Sequence, residues 1–183
     1  MQISAVPKEI NEWSGSVLIA GILEGTIESQ INLFKAIIKD TFLSQRFIDS
    51  KFEGKKNQKL SIELIEGKVK KVIFVGLGKA ETLRIDDLRK AASIGTRQVS
   101  GYERKLGIFF PWDAFDPSSA ACAVGEAVRL SSIKDFRFKS EPKEPTPIDE
   151  VELIGLDTKT TKSAIAEINP ICEGVKFARE LVS

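Results

Sequence analysis

A glycine-rich turn next to a lysine is the first place in this sequence where chemistry is expected. Gly76-Leu77-Gly78-Lys79 follows the unbroken apolar run Val72-Ile73-Phe74-Val75 and precedes a helical pattern. In that setting backbone amides can cradle a phosphate. The details fail. A phosphate loop needs Gly-x-x-x-x-Gly-Lys-Ser/Thr, but Ile73 stands at the first glycine and Ala80 replaces the hydroxyl that would hold magnesium. The dinucleotide fingerprint fails at Glu81, which occupies the third glycine position. A carboxylate there would repel a pyrophosphate and crowd the helix against its strand. The segment reads instead as a strand-to-helix turn in which glycine permits positive φ.

A second candidate is the loop Pro111-Trp112-Asp113-Ala114-Phe115-Asp116-Pro117. It follows the apolar run Lys105 to Phe110, and open α/β sheets place ligands beyond the carboxyl ends of their strands. Trp112, Asp113 and Asp116 are therefore candidate ligand contacts. The structural alternative is a loop packed over the core, with Asp116 or Ser118 capping the next helix. A third candidate is the lysine set Lys55, Lys56, Lys59, Lys68, Lys70 and Lys71, which would converge at one end of a hairpin. It is either a patch for an acidic partner or a solvated face guarding a sheet edge. No aromatic residues interleave these lysines as a single-strand platform requires, so nucleic acid is disfavoured. The Gly76 to Thr82 and Pro111 to Pro117 loops together would be the site of a nucleotide-type ligand in a stand-alone binding module.

Much other chemistry is excluded. The chain of 183 residues contains no histidine, so no Ser-His or Cys-His nucleophile and no imidazole ligand can be built. The two cysteines, Cys122 and Cys172, lie in apolar helical patterns and read as reduced core residues. Carboxylates alone can bind a cation, but no Asp/Glu cluster has a recognisable ligand pattern. Lys and Arg total 27 against 26 Asp and Glu, which argues against a globally basic nucleic-acid binder. A hydrophobic content of 42% with 29% charged residues belongs to a globular chain able to build a core. No apolar run is long enough to span a bilayer and no signal peptide is evident, so a cytoplasmic location is expected.

These candidates need elements to position them. Gln2 to Val6, Ser16 to Leu23, Leu60 to Ile65, the central run ending at Val75, Lys105 to Phe110, Asp135 to Lys139 and Val151 to Leu156 read as strands. Trp13 reads as a packing residue at the sheet rim. Ile31, Phe34, Ile38 and Phe42 fall at helical spacing within one or two helices between Glu28 and Asp49, with a break near Asp40-Thr41. Ile85, Leu88, Ala92, Gly95 and Val99 mark a helix with Asp86 and Asp87 in its first turn, where the helix dipole favours acids. A small-residue helix spans Ser118 to Leu130. Ser140 to Pro147, with three prolines, is an exposed connection. From Thr158 the pattern is helical to the end, capped by Thr160 or Thr161 and interrupted at Pro170. It stops at Leu181-Val182-Ser183 without a capping glycine, and a further domain is expected after it.

Three stretches in order resemble one family. Val72 to Lys79 (VIFVGLGK) followed by Asp86-Asp87-Leu88-Arg89-Lys90-Ala91-Ala92 is similar to the N-terminal domain of the leucyl aminopeptidase (cytosol aminopeptidase) family. Gly125-Glu126-Ala127 through Phe136-Arg137-Phe138-Lys139-Ser140-Glu141 resembles a middle segment of that domain. Gly174-Val175-Lys176-Phe177-Ala178-Arg179-Glu180-Leu181-Val182 resembles the helix that leads toward the catalytic domain. The resemblance covers nearly the whole chain. It implies a three-layer α/β/α sandwich around a mixed, mostly parallel sheet, similar to macro domains. It also implies residues 1–165 as the α/β N-terminal domain and 166–183 as an exit helix.

The same resemblance implies that the whole protein is a cytoplasmic metallo-aminopeptidase, a hydrolase releasing Leu-like N-terminal residues from peptides and forming a homohexamer. Two divalent ions (zinc or manganese, with magnesium also used in the family) would activate water and polarise the scissile carbonyl there. The Asn-Thr-Asp-Ala-Glu-Gly-Arg segment and the metal-binding Lys-Asp-Glu cluster of that family have no counterpart in this sequence. No catalytic, cofactor-binding or metal-binding residue is therefore assigned, and this chain alone is expected to be inactive. Its expected partners are its own catalytic domain and other copies of the whole protein. A glycine-rich loop of the kind that binds ADP-ribose in macro domains is not found, so likeness of fold alone carries little functional weight.

Overall fold

The computed structural model describes residues 1–35, 37–38, 42–99, 104–133 and 148–182. Two apolar segments form its centre, β2 (Val17–Leu23) and β4 (Lys71–Gly78). Both are almost uniformly hydrophobic because both of their faces are covered. Val17 and Ile19 of β2, with Ile73 and Val75 of β4, enter one core. Leu18, Ala20 and Ile22, with Val72 and Phe74, enter the other. Fully burying each of these side chains other than Ala20 contributes roughly 1.5–3 kcal/mol.

Around this pair the sheet is completed by β1 (Gln2–Val6), β3 (Lys59–Glu63), β5 (Lys105–Phe109) and β6 (Glu150–Ile154). The strand order is β1-β6-β5-β2-β4-β3. All neighbours are parallel except β3, which pairs antiparallel with β4 at the edge. The expected hairpin is therefore present, though its first strand ends at Glu63 and leaves Ile65 96% exposed in the turn.

Helices cover both faces. On one side lie α3 (Ile85–Thr96), α4 (Pro117–Ser132) and α5 (Thr158–Val182), with Leu88, Ala91, Ala92, Ala120, Val124 and Val128 in the core. On the other side lie α1 (Ile27–Lys35), α2 (Leu43–Asp49) and a 3-10 turn at Ile10–Glu12, with Ile31, Phe34, Phe47 and Ile10 inward. Phe34, Phe47 and Phe74 form an edge-to-face cluster with ring centroids 4.8–5.2 Å apart, a geometry worth about 0.5–1.5 kcal/mol per pair beyond burial. This is the expected three-layer α/β/α sandwich on a mixed, mostly parallel sheet.

Several local expectations change. Gly76 and Gly78 lie inside β4 rather than in a turn after it. A Cβ on Gly76 would sit 2.0 Å from the Lys55 carbonyl oxygen, so glycine is there to let another backbone cross. Gly78 has φ +81° and passes beneath the Lys56 side chain. The 28–49 region holds two helices, and the break expected at Asp40-Thr41 falls outside the described residues. The strand expected at Asp135 to Lys139 and the connection Ser140 to Pro147 also fall outside them.

Helix α5 is capped by Asp157, whose Oδ2 accepts from the Thr160 amide at 2.8 Å, and not by Thr160 or Thr161. It runs unbroken through Pro170. Ile168 and Cys172, both buried, hold the turns on either side of the proline against the domain. That packing offsets the proline's cost of about 3 kcal/mol.

Candidate functional site

The carboxyl ends of the five parallel strands define one edge of the molecule, and both candidate loops lie there. The Gly76 to Thr82 segment is already filled by the protein itself. Gly76 N–H donates to the Gln58 carbonyl at 2.8 Å, and Gly78 N–H donates to the Gly54 carbonyl at 2.8 Å. Gly78 C=O accepts from Glu24 N–H at 2.9 Å. Lys56 crosses above Gly78 and donates to Asp87 Oδ2 at 2.8 Å. The space and the amides that a phosphate would use are taken by residues 54–58.

Asp87 also accepts from the Arg84 backbone amide at 2.9 Å, and its own amide donates to the Arg84 carbonyl at 2.9 Å, which closes the start of α3. Burial pushes its carboxyl upward, but the hydrogen bonds from Lys56 and Arg84 outweigh it and hold the group below the usual carboxylate range. Of the two first-turn acids expected from the sequence, Asp87 thus closes the helix end, whereas Asp86 accepts from the Arg89 guanidinium at 2.8 Å.

The Pro111 to Pro117 loop is also largely committed to structure. Trp112 is buried, and its Nε1–H donates to the Ile154 carbonyl at 2.6 Å. Asp116 Oδ2 accepts from the Ser119 amide and hydroxyl, each at 2.8 Å, so it caps α4 with Pro117 at the first helical position. Those bonds hold its carboxyl below the usual range. Of the three candidate contacts in this loop, only Asp113 brings an uncommitted polar group to an open cavity.

The lysines do not converge. Lys59 stands opposite Val75 and Glu63 opposite Lys71 in the antiparallel register. Lys55, Lys56 and Lys59 are at one end of the hairpin, and Lys68, Lys70 and Lys71 lie at the other. A five-residue strand separates the groups by ~14 Å, beyond the screening length at physiological salt. Lys55 pairs with Glu53 and Lys56 with Asp87, so two of the six are neutralised.

Both cysteines are free thiols. Cys172 is buried. Cys122 is partly buried and donates to Glu126 Oε1 at 3.4 Å; burial and that carboxylate push its thiol up to about 11. This is the opposite of an activated nucleophile. Among the described residues no group of three or more His, Cys, Asp or Glu could hold a metal ion. The described residues therefore do not fit a dinuclear metal site, and no chemical step is derived through one.

Sequence reasoning did not single out Lys8, Glu9 and Leu33. They line a cavity of about 290 Å³ at the same carboxyl edge, together with Gln30, Phe34, Phe109, Trp112 and Asp113. The available signal was positional: Lys8 and Glu9 come directly after the end of a parallel strand. A wider groove of about 720 Å³ separates α1 and α2, with Ile31, Phe47 and Phe52 on its floor and Ile48 at its lip.

The model of the cytosol aminopeptidase family, N-terminal domain, matches residues 21–142. A probable cytosol aminopeptidase from Prochlorococcus marinus (strain MIT 9211) is 47% identical over 182 residues, covering 100% of this chain and 37% of that protein. One from Synechococcus sp. (strain CC9311) is 34% identical over 186 residues, again covering 100% of this chain and 37% of the relative. The chain thus spans little more than a third of the curated relatives it matches. Among solved structures, a tomato leucine aminopeptidase mutant superposes with a TM-score of 0.79 at 21% identity, over 100% of this chain and 38% of that one. The bottromycin maturation enzyme BotP in complex with Mn gives a TM-score of 0.62 at 23% identity, over 93% of this chain and 32% of that one. At such identities the superpositions establish the fold.

Proposed function

We infer the function from one premise: this chain belongs to the cytosol aminopeptidase family, as its N-terminal domain. The reading is that it serves as the non-catalytic part of a metallo-aminopeptidase that removes N-terminal residues, Leu-like ones by preference, from peptides. The observation that carries it is the match of the entire chain to about 37% of its curated relatives, which leaves the chemistry to the remainder of the protein. Two divalent ions, zinc or manganese, would be bound there. The mixed sheet between two helical layers supports a macro-like description of the fold. A cytoplasmic location is proposed with it; among the described residues no helix is long and apolar enough to cross a membrane.

The domain's own work is proposed to be packing against the catalytic domain and support of a homohexamer. Residues 1–165 would form the α/β body and 166–183 the exit helix. Within α5, Ile171 is 43% and Phe177 62% exposed. Large apolar side chains left open along the C-terminal half of a 25-residue helix support a role in contacting the catalytic domain.

The test compares this 183-residue chain with the polypeptide encoded by the reading frame continued beyond it. Pure short chain, with manganese or zinc added, should not hydrolyse a leucine anilide and should retain no stoichiometric metal. The longer protein should hydrolyse it and elute as a hexamer. Robust hydrolysis by the short chain would overturn the reading, as would a continued frame lacking a Lys, Asp and Glu cluster.

A further inference from the structure

We propose that the cavity at the carboxyl edge of the sheet is a binding site for a free α-amino acid with a large aliphatic or aromatic side chain. Topology places it. The chain leaves β2 through α1 and α2 on one face and travels toward β3 and β4; it leaves β5 through α4 on the opposite face and travels toward β6. Adjacent parallel strands whose connections depart in opposite directions leave a crevice between their carboxyl ends, and open α/β sheets bind ligands there. The cavity lies at that place. Gly21 of β2, Phe109 and Phe110 at the end of β5, Gly155 after β6, Leu33 of α1 and Lys8 after β1 all line it.

Size and chemistry narrow the ligand. A volume of about 290 Å³ sits just below the ~300 Å³ at which drug-sized sites begin, a size that suits an amino acid better than a nucleotide such as ADP-ribose. The apolar part of the lining is Leu33, Phe34, Phe109, Phe110, Pro111 and Trp112. Leu33 is 51% exposed although it sits beside buried Phe34 on the same helix, so its apolar surface is available to a ligand.

The neutral polar groups are partly committed: Gln30 Oε1 accepts from the Leu23 amide at 3.1 Å, and the Trp112 indole N–H is held by Ile154, which leaves the Gln30 amide nitrogen as a further donor to a ligand carboxylate. The charged groups are not: Lys8, Glu9 and Asp113 stand exposed at the mouth of the cavity, make no side-chain hydrogen bond or ion pair among the described residues, and Glu9 precedes its 3-10 turn without capping it. One ammonium and two carboxylates around an apolar floor match a zwitterion with a hydrophobic side chain. Lys8 would take the ligand carboxylate, and Glu9 and Asp113 its ammonium.

The two tryptophans of the chain supply the readout. Trp112 lines the cavity, whereas Trp13 is buried against Gly15 and Gly107 and does not. Titration of the full 15N-labelled chain with L-leucine and L-phenylalanine should shift the Trp112 indole N–H resonance saturably, with Kd ~0.1–1 mM, and leave that of Trp13 in place. N-acetyl-L-leucine, which lacks the ammonium, and leucinamide, which lacks the carboxylate, should each bind about tenfold more weakly or worse. Leu33→Lys, at an exposed helix position, should abolish the response. Ile48→Lys, in the separate α1–α2 groove, should preserve it. No saturable shift up to ~10 mM, an equal response to N-acetyl-L-leucine, or tighter binding of ADP-ribose would each overturn the proposal. The outcome does not depend on whether the longer protein is a peptidase.

Discussion

The indole of Trp13 donates a hydrogen bond to Glu152 Oε2 at 2.8 Å, across 139 positions of sequence. The other oxygen of Glu152 accepts from Lys105 Nζ at 3.1 Å. Burial opposes the Lys105 charge, but the bond and charge of Glu152, aided by Glu150, outweigh it and hold the ammonium above its ordinary range. The Trp13 ring lies over Gly107 of β5, where an added Cβ would come within 2.5 Å of it. One loop residue therefore locks the β5–β6 half of the sheet. Trp13→Phe keeps most of the ring but removes the donor, and should cost about 1–3 kcal/mol in urea unfolding. Gly107→Ala should cost a similar ~1–3 kcal/mol by overpacking. If either variant unfolds at the wild-type midpoint, the lock is not where the geometry puts it.

Acid should weaken the fold through Asp87 before the core is touched. Its folded pKa is depressed below that of the unfolded chain. A depressed carboxylate contributes stability that is complete above the unfolded value of about 3.9 and is lost as pH falls through the folded value. Asp87→Asn should therefore destabilise at pH 7, by about 0.5–1 kcal/mol for a partly solvated cap and ion pair. The variant and the parent should converge in stability at low pH. Denaturant midpoints measured between pH 7 and pH 2 would reveal this; a constant difference across that range would remove the assignment.

Two glycines should respond to alanine with opposite signs. Gly76 lies under the Gly54–Lys55 backbone, whose nearest atom would be 2.0 Å from a new Cβ. Backbone yields less readily than a flexible side chain, so Gly76→Ala should cost at least ~1–3 kcal/mol. Gly174 lies within α5 with nothing within 4 Å of its would-be Cβ. Gly174→Ala should stabilise by roughly 0.5–1 kcal/mol through helix propensity. Thermal melts of the two variants decide it.

The same contrast marks what the sequence could convey. The apolar runs of β2, β4 and β5 and the 3.6 spacing of α3 were legible because burial on both faces or on one stripe writes itself into residue type. Asp116 was legible as a cap because Asp before Pro and Ser is a local signal. The role of Gly76 was not, since a glycine that admits a crossing backbone looks the same as one that turns a chain. The lysine hairpin misled because antiparallel register places residues near in sequence at opposite ends of the strands. Lys8, Glu9 and Leu33 were invisible as a group because only the sheet order brings them together.

Helix α5 offers the sharpest separation of domain packing from outward contact. Ile168 is fully buried, and its Cδ1 lies 2.3 Å from where a Cβ on Gly125 of α4 would stand. The small residue on α4 is thus the socket for the large one on α5. Ile168→Ala should cost about 2–5 kcal/mol, and Gly125→Ala about 0.5–2 kcal/mol, its overpacking partly offset by helix propensity and by the mobility of the Ile168 tip. Combining Gly125→Ala with Ile168→Val should recover part of that loss, since contacting residues are not additive. Phe177, at 62% exposure, behaves differently: Phe177→Ala should change the stability of this chain by no more than about 0.5 kcal/mol. In a longer protein whose next domain covers this end of α5, the same substitution should become destabilising, because the ring then leaves an apolar contact instead of water. Urea unfolding of both lengths with both variants separates the two roles. Equal, small effects of Phe177→Ala in both contexts would show that the exposed end of α5 meets nothing.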